Sequence, residues 1–267
     1  MKTLFPFLFS LWYVYATIVI NVPNEKDTFL SFDKNLEVSV PITVCIRFKL
    51  EGYLTNRVIF SSKGDRFRLS LQTEDDLGWI KWDEGFVPFK IIKNQLQPYI
   101  WHHLCFALDK KYFVVIVDGQ QWYESSFENK IPEKTTFNQI QLGSMDEDTE
   151  STLYEDFKGR LTELNIWDKA LSKEEMIELT KTCKIANPAA DILNWSNDIA
   201  LYLSGGEETS TIPMTHFCPK GDQTVEKHRI VQVLLNQDDA IHTCDILNGK
   251  VAYPTTIDEF KTWKSRF

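Results

Sequence analysis

Apolar and polar residues alternate along much of the chain between positions 42 and 167. A period of two places every second side chain on the same face of a β-strand. Several short runs show this pattern: 44–50, 67–71, 80–82, 104–108 and 164–166. Because no helical segments alternate with these runs, the pattern predicts an all-β fold, a sandwich of two antiparallel sheets rather than a parallel α/β fold.

Two local signals refine this prediction. The apolar run Val114–Val117 is followed by Asp118-Gly119, a dipeptide typical of a tight hairpin turn. Ser172 and Glu175 have the spacing of a capping box. We therefore expect one short helix from there to about residue 182.

The first 16 residues have the organisation of a secretory signal peptide. Lys2 precedes the apolar stretch 4–15, and Val14 and Ala16 lie three and one positions before a cut ahead of Thr17. An uncleaved anchor is the alternative, because apolar residues continue beyond the cut. No later stretch approaches the roughly 18 apolar residues of a membrane span. We therefore expect a secreted, extracellular protein with no membrane span in the mature chain.

The composition changes at residue 204. Residues 204–228 are predicted to be a linker, because most of this segment is rich in Gly, Ser, Thr and Pro. Residues 229–267 then have the pattern of a small α+β segment.

Charge narrows the possible partners. The 267 residues carry a formal net charge of −9, and no basic cluster interrupts this balance. Nucleic acid and anionic membrane surfaces are therefore excluded as expected partners.

The cysteines are odd in number. An oxidising compartment favours pairing, so five cysteines imply a free thiol, an intermolecular bond or a partner outside this chain. The five are Cys45, Cys105, Cys183, Cys218 and Cys244. The sequon Asn194-Trp195-Ser196 predicts a glycosylation site at Asn194 if that residue is exposed.

Seven short motifs occur in an order and spacing that resemble the pentraxin/laminin-G-like sandwich of the concanavalin A-like type. They are TVCIRF (43–48), WHHLC (101–105), VDG (117–119), LG (142–143), GRLTELNIWD (159–168), LS (171–172) and LNW (193–195). The resemblance covers residues 24–203 and implies a jelly roll in which a Cys45–Cys105 disulfide bridges adjacent strands. His103 and Cys105 match the pentraxin signature, whereas the residues after them do not, so the chain is a divergent member or closer to laminin-G domains.

A second resemblance concerns residues 229–267, which look like the opening part of a C-type lectin-like domain. It implies that the partner of Cys244 lies further downstream, which leaves Cys183 to pair with Cys218. An ordinary helical tail is the alternative, and no sugar site is carried over.

The densest cluster of acidic side chains follows Leu142-Gly143. In pentraxins the matching loop binds Ca²⁺, and carboxylate oxygens suit this ion. The resemblance therefore implies a calcium site formed by Asp65, Asp146, Glu147, Asp148 and Glu150. Two departures, Met145 and Arg66, stand where the family has ligands. A solvated acidic loop without metal, or an Arg66 salt bridge in place of the metal, remains an alternative.

Aromatic residues form the other candidate site. Trp79, Trp82 and Phe86 lie close together in sequence, and exposed aromatic rings stack on sugars. Packing in the sandwich core is the alternative, above all for Trp82.

The sequence contains no motif of a hydrolase, phosphate-binding loop or zinc protease. We therefore expect a non-enzymatic recognition module that binds a carbohydrate, a phospho-ligand or an extracellular protein, with Ca²⁺ as its expected cofactor. The alternative is the adhesion or scaffold portion of a larger cell-surface receptor.

Overall fold

The structure is a computed structural model of the whole chain. It describes residues 16–22, 28–51, 56–72, 77–83, 85–92, 96, 99–110, 112–126, 133–144, 155–181, 189–204 and 208–217. Strands and helices are numbered in chain order.

Two sheets form the fold. The seven-stranded sheet has the spatial order β10-β9-β8-β3-β13-β1-β15. Its members are β1 (Ala16–Val22), β3 (Ile42–Leu50), β8 (Trp101–Leu108), β9 (Tyr112–Val117), β10 (Gln120–Ser126), β13 (Gly159–Trp167) and β15 (Glu208–Pro213). Neighbouring strands in this sheet are antiparallel.

The eight-stranded sheet has the order β14-β2-β11-β4-β5-β6-β7, with β12 pairing in parallel beside β4. Its members are β2 (Thr28–Ser39), β4 (Asn56–Ser62), β5 (Phe67–Gln72), β6 (Leu77–Trp82), β7 (Gly85–Lys90), β11 (Lys134–Leu142), β12 (Glu155–Asp156) and β14 (Leu203–Ser204). The described residues also form two α-helices, α1 (Lys173–Lys181) and α2 (Trp195–Tyr202).

The core lies between the two sheets and is lined by the alternating apolar residues. Phe48 of β3 and Phe106 of β8 face it from one sheet, and Phe67 and Trp82 face it from the other, all with no exposed surface. The rings of Phe67 and Trp82 pack edge to face at 5.3 Å. The predicted all-β sandwich of two antiparallel sheets is therefore confirmed.

The sandwich extends beyond the predicted residues 24–203 at both ends. β1 precedes it and lies between β13 and β15, and β15 falls inside the segment predicted to be a linker. Ser, Thr and Pro are typical of loops, but β-branched residues such as Thr209, Thr211 and Ile212 also suit an edge strand. Pro213 is tolerated because it ends that strand at the edge of the sheet.

The predicted helix is present as α1, and Ser172 and Glu175 form the expected reciprocal capping bonds, with Glu175 N–H donating to Ser172 Oγ at 3.2 Å. The prediction of a single helix is wrong, because α2 follows. Trp195 and Ile199 lie one helical turn apart and are both buried, which gives α2 its apolar face.

Candidate functional site

The outer face of the seven-stranded sheet is covered by other parts of the chain. Cys45, Cys105 and Ile116 point away from the central core and pack with Met176 and Leu179 of α1. Nearer the opposite edge, Val19 packs with Met214 and Phe217, which belong to a 3-10 turn at Met214–Phe217. This face therefore forms a second layer of buried side chains.

A disulfide joins Cys45 to Cys105, as the resemblance implies. The two residues lie directly opposite each other on β3 and β8, with their Cα atoms 4.1 Å apart. His103 lies on the same buried face, and one of its ring nitrogens comes within 4.8 Å of the two sulfurs. Because both sulfurs are held in the disulfide, this trio has a structural role.

Charged residues are also buried here. Arg47 Nε donates to a carboxylate oxygen of Glu163, and the guanidinium lies 5.2 Å from the centre of the Phe217 ring. Burial raises the pKa of Glu163, although the Arg47 charge opposes this effect. Burial, together with Arg47, lowers the pKa of His103 well below its usual value. The imidazole of His103 is therefore neutral at physiological pH.

The outer face of the eight-stranded sheet differs at β5, β6 and β7. Arg68, Lys81 and Phe86 stand side by side on these three strands, because the register pairs Arg68 with Lys81 and Lys81 with Phe86. In the adjacent row, Trp79 lies between Ser70 and Pro88. We call these six residues, together with Asp65, the Phe86 platform.

Asp65 organises the charges of the platform. Its Oδ2 accepts hydrogen bonds from Arg68 Nη1 at 2.9 Å and from Lys81 Nζ at 2.6 Å. Asp65 follows Gly64 in a 3-10 turn at Lys63–Asp65, and both residues have positive φ angles, 74° and 49°. Glycine adopts this conformation at little cost, and Asp is among the residues that tolerate it. The turn thus directs the Asp65 carboxylate onto the strands beside it.

Phe86 is the only large hydrophobic side chain counted as exposed among the described residues, with 51% of its surface accessible. The Arg68 guanidinium lies 5.8 Å from the ring centre and the Lys81 ammonium 5.5 Å. Both distances are in the range of cation–π attraction. The ring is therefore held in place by its neighbours while its remaining surface faces solvent.

The buried polar atoms of the platform that make no hydrogen bond include Asp65 Oδ1 and Ser70 Oγ. Asp65 is 3% exposed and Ser70 1%. An unsatisfied buried polar group costs about 1–3 kcal/mol, and such groups accumulate where a structure serves something other than its own stability. The platform therefore contains unsatisfied polar atoms close to its exposed ring.

The predicted site residues are distributed unevenly. Trp82 lies fully in the core, so the ligand contact proposed for it is corrected to a packing role, since the alternation that exposes Lys81 buries its neighbour. Trp79 lies on the outer face and is half-buried. Asn194 precedes α2, is half-buried and makes no capping bond through its side chain, so its glycosylation stays a prediction.

The predicted calcium ligands do not come together in the described part of the chain. Asp65 is already paired with two cations, and this arrangement disfavours a third cation on the same carboxylate. Asp65 therefore does not fit the role of a calcium ligand. The other four residues, Asp146, Glu147, Asp148 and Glu150, lie outside the described residues.

Cys183, Cys218 and Cys244 also lie outside the described residues, so the predicted Cys183–Cys218 disulfide stays a prediction. The described residues that precede the first two cysteines lie over one sheet. α1 packs over the disulfide on β8, and Phe217 packs over Arg47 on the neighbouring strand β3. Both segments thus approach the outer face of the same sheet.

Sequence reasoning did not identify Arg68 and Lys81 as site residues. The signal that could have found them is the alternation itself: each lies between two apolar core residues and so must face away from the core. What the sequence does not contain is the register that brings them beside Phe86.

Comparisons with known proteins place the chain in a family. The laminin-G family model described as "Concanavalin A-like lectin/glucanases superfamily" matches residues 24–176. The chain belongs to this family. No curated protein matches it. The comparisons give no support to the C-type lectin-like resemblance of residues 229–267, which lie outside the described residues.

Solved structures share the fold at low identity. A heptameric SAP-like pentraxin from Limulus polyphemus superposes with a TM-score of 0.58 and 19% identity, covering 76% of this chain and 97% of the pentraxin chain. The extracellular region of zebrafish Gpr126/Adgrg6 gives 0.52 and 12%, covering 73% and 26%. A putative carbohydrate binding protein from Bacteroides ovatus gives 0.50 and 13%, covering 74% and 60%. These similarities show the fold alone.

Neither α1 nor α2, the α-helices of the described residues, has the length and apolar character needed to cross a bilayer.

Proposed function

We propose that this chain is an extracellular, non-enzymatic recognition module that binds carbohydrate through the Phe86 platform. The observation that carries the proposal is a 51% exposed phenylalanine ring flanked by Arg68, Lys81 and Asp65, which are fixed to one another by hydrogen bonds. The extracellular assignment is supported by the Cys45–Cys105 disulfide, since such bonds persist mainly in oxidising compartments.

The chemistry of the platform suits a sugar. The face of an aromatic ring carries partial negative charge and attracts the C–H groups of a pyranose. Charged side chains held at its rim can donate hydrogen bonds to hydroxyl groups, and bonds with an ionised partner are about twice as strong as neutral ones. One apolar contact surface with a few oriented polar groups is the usual composition of a small-ligand site.

The platform is also rigid before a ligand arrives. Arg68 is 3% exposed and its hydrogen bond to Asp65 is buried, so neither side chain has much conformational freedom to lose. Ligand affinity rises when the contacting groups are already ordered, because less entropy is lost on binding.

Binding to an extracellular protein is less well supported on this face. Protein interfaces concentrate their binding energy in clusters of aromatic and arginine anchors at a desolvated centre. In the described residues Phe86 is the single large exposed apolar side chain, and the adjacent arginine is buried. A sugar of one to three units matches such a surface better than a protein does.

A glycan array tests the proposal. We expect wild type to bind a defined set of glycans, and Phe86→Ala to lose at least tenfold of that signal because the stacking surface is removed. Phe86→Trp keeps a ring and should retain binding, whereas Lys134→Met removes a 62% exposed lysine at the start of β11 and should change nothing. Equal binding by wild type and Phe86→Ala, with equal melting temperatures, would contradict the proposal.

Calcium binding by the acidic segment stays a prediction, and phospho-ligand binding depends on it. Calorimetric titration of Ca²⁺ into wild type and into a variant carrying Asp146→Asn and Asp148→Asn tests it. Heat seen only with wild type supports the site. No heat with wild type, together with glycan binding that persists in EDTA, would contradict the predicted calcium site and a role for calcium in glycan binding.

A further inference from the structure

We infer that the Phe86 platform selects an anionic sugar, with Lys81 contacting its carboxylate or sulfate group while the ring packs on Phe86. This inference rests on the proposed function and adds the charge of the ligand to it. Lys81 and Phe86 lie directly opposite each other on β6 and β7, with the ammonium nitrogen 5.5 Å from the ring centre.

Lys81 has donors available for a ligand. Its ammonium group carries three N–H donors, and one of them is used by Asp65 Oδ2 at 2.6 Å. The side chain is 19% exposed, so the nitrogen is close to the surface but restrained by its partner. A ligand anion that reaches the Phe86 ring therefore meets an oriented cation.

Asp65 does not fully neutralise this part of the platform. One oxygen of its carboxylate serves both Lys81 and Arg68, and a single negative charge is thus divided between two cations. The other oxygen has no hydrogen-bond partner. A carboxylate or sulfate group of the ligand would supply the second negative charge that Lys81 lacks.

Partial burial strengthens the attraction between the Lys81 ammonium and a ligand anion. Charges that are only partly hydrated interact more strongly than charges in bulk water. The net charge of the chain is −9, so the overall charge does not favour an anionic ligand, and its binding depends on a local cation such as Lys81. The platform is therefore a site of discrimination between anionic and neutral sugars.

Matched ligand pairs test the inference by calorimetry at low salt. The pairs are trigalacturonate with its methyl ester, and lactose 3′-sulfate with lactose; the members of each pair share their sugar units and differ in charge. We expect wild type to bind the anionic member of at least one pair at least tenfold more tightly, and we expect added NaCl to reduce this preference.

Substitutions at Lys81 test whether this side chain causes the preference for the anionic member of each pair. Lys81→Met keeps the aliphatic stem against Phe86 and should remove the preference for the anionic member, while Lys81→Arg should retain it. Lys134→Met, at a lysine that also forms a surface ion pair, is the matched control and should keep the full preference. If Lys81→Met melts at a lower temperature than wild type, Lys81→Gln is used in its place and is compared with Lys81→Arg. Lys81→Gln should then lack the preference for the anionic member that Lys81→Arg retains.

Three outcomes overturn the inference. The first is binding of neutral and anionic members within twofold of each other, which leaves the proposed carbohydrate function in place. The second is inorganic sulfate binding as tightly as lactose 3′-sulfate, which removes the sugar ring from the interaction. The third is the absence of binding by all four sugars; with no array signal for any glycan, the proposed function fails as well.

Discussion

The outer faces of the two sheets are built by the same alternation of side chains, but their surroundings differ. On the seven-stranded sheet, α1 and the 214–217 turn cover the outward residues, so Cys45, Cys105 and Ile116 become a second apolar layer. On strands β5–β7 of the eight-stranded sheet, Phe86 remains 51% exposed among charged neighbours.

The covered face contributes mainly to stability, and the platform is the face available for recognition. The covered face contains a disulfide and closely packed apolar side chains, which resist unfolding. The platform has an exposed ring at its centre, which contributes little to stability. Substitutions should therefore separate the two properties: those on the covered face should change unfolding, and those on the platform should change binding.

The largest expected effect is removal of the disulfide from the covered face. Replacing Cys45 and Cys105 together by Ala should lower the free energy of unfolding by about 4 kcal/mol, because the bond closes a loop across a sequence separation of 60 residues in the unfolded chain. Urea unfolding of the double variant measures this, with reduced wild type as the control. A loss under about 1 kcal/mol would contradict a stabilising role for this bond.

The next largest loss of unfolding free energy is expected from a substitution in α1, the helix that covers this face. Met176→Ala should cost about 3 kcal/mol, because the side chain is fully buried between α1 and the sheet and its removal leaves a cavity. Glu178→Ala, on the exposed side of the same helix, should change unfolding by less than about 0.5 kcal/mol. Similar effects of the two substitutions would show that α1 does not pack on the sheet as described.

A smaller effect depends on pH and arises from His103. Its pKa is lowered by burial, so the folded protein binds fewer protons at this site than the unfolded chain does below about pH 6.5. Stability from this group is full above the unfolded pKa and falls as the pH decreases below it.

His103→Leu isolates this contribution, because leucine does not titrate and can occupy the same buried position. As the pH decreases from about 7.5 to about 5.5, wild type should therefore lose unfolding free energy relative to the variant. A difference that is constant with pH would mean that His103 accepts a proton in the folded protein.

The smallest effect on unfolding is expected on the platform. Phe86→Ala should alter the free energy of unfolding by less than about 0.5 kcal/mol, since its ring is half exposed and lies outside the core. Trp82→Ala, four residues earlier and fully buried, is the matched contrast and should cost about 3–5 kcal/mol. Comparable losses from both substitutions would remove the distinction between the two sides of this sheet.

Local patterns in the sequence predict the sandwich well for physical reasons. Alternation alone determines which side of β3, β5 and β8 faces the core, and the capping box marks the start of α1. The prediction fails where composition and pattern conflict. β15 is rich in Thr, Ser and Glu and is a strand because it can pair with the edge of β1, a partner about 190 residues away in the sequence.

The candidate site was less predictable than the fold. Phe86 and Trp79 are recognisable as aromatic residues that could be exposed, but their neighbours on the platform come from different strands. Asp65 reaches Lys81 only because the 63–65 turn bends beside β6, sixteen positions away in the chain. A site built across strands depends on register, and register is a property of the assembled sheet.

Hydrogen–deuterium exchange, with and without the glycan that gives the strongest array signal, tests the central claim most directly. The account predicts that the bound glycan slows exchange in β5, β6, β7 and the 63–65 turn and leaves α1 and the 214–217 turn unchanged. Slower exchange confined to α1 or the 214–217 turn, or no change at β5–β7 with saturating glycan, would contradict it.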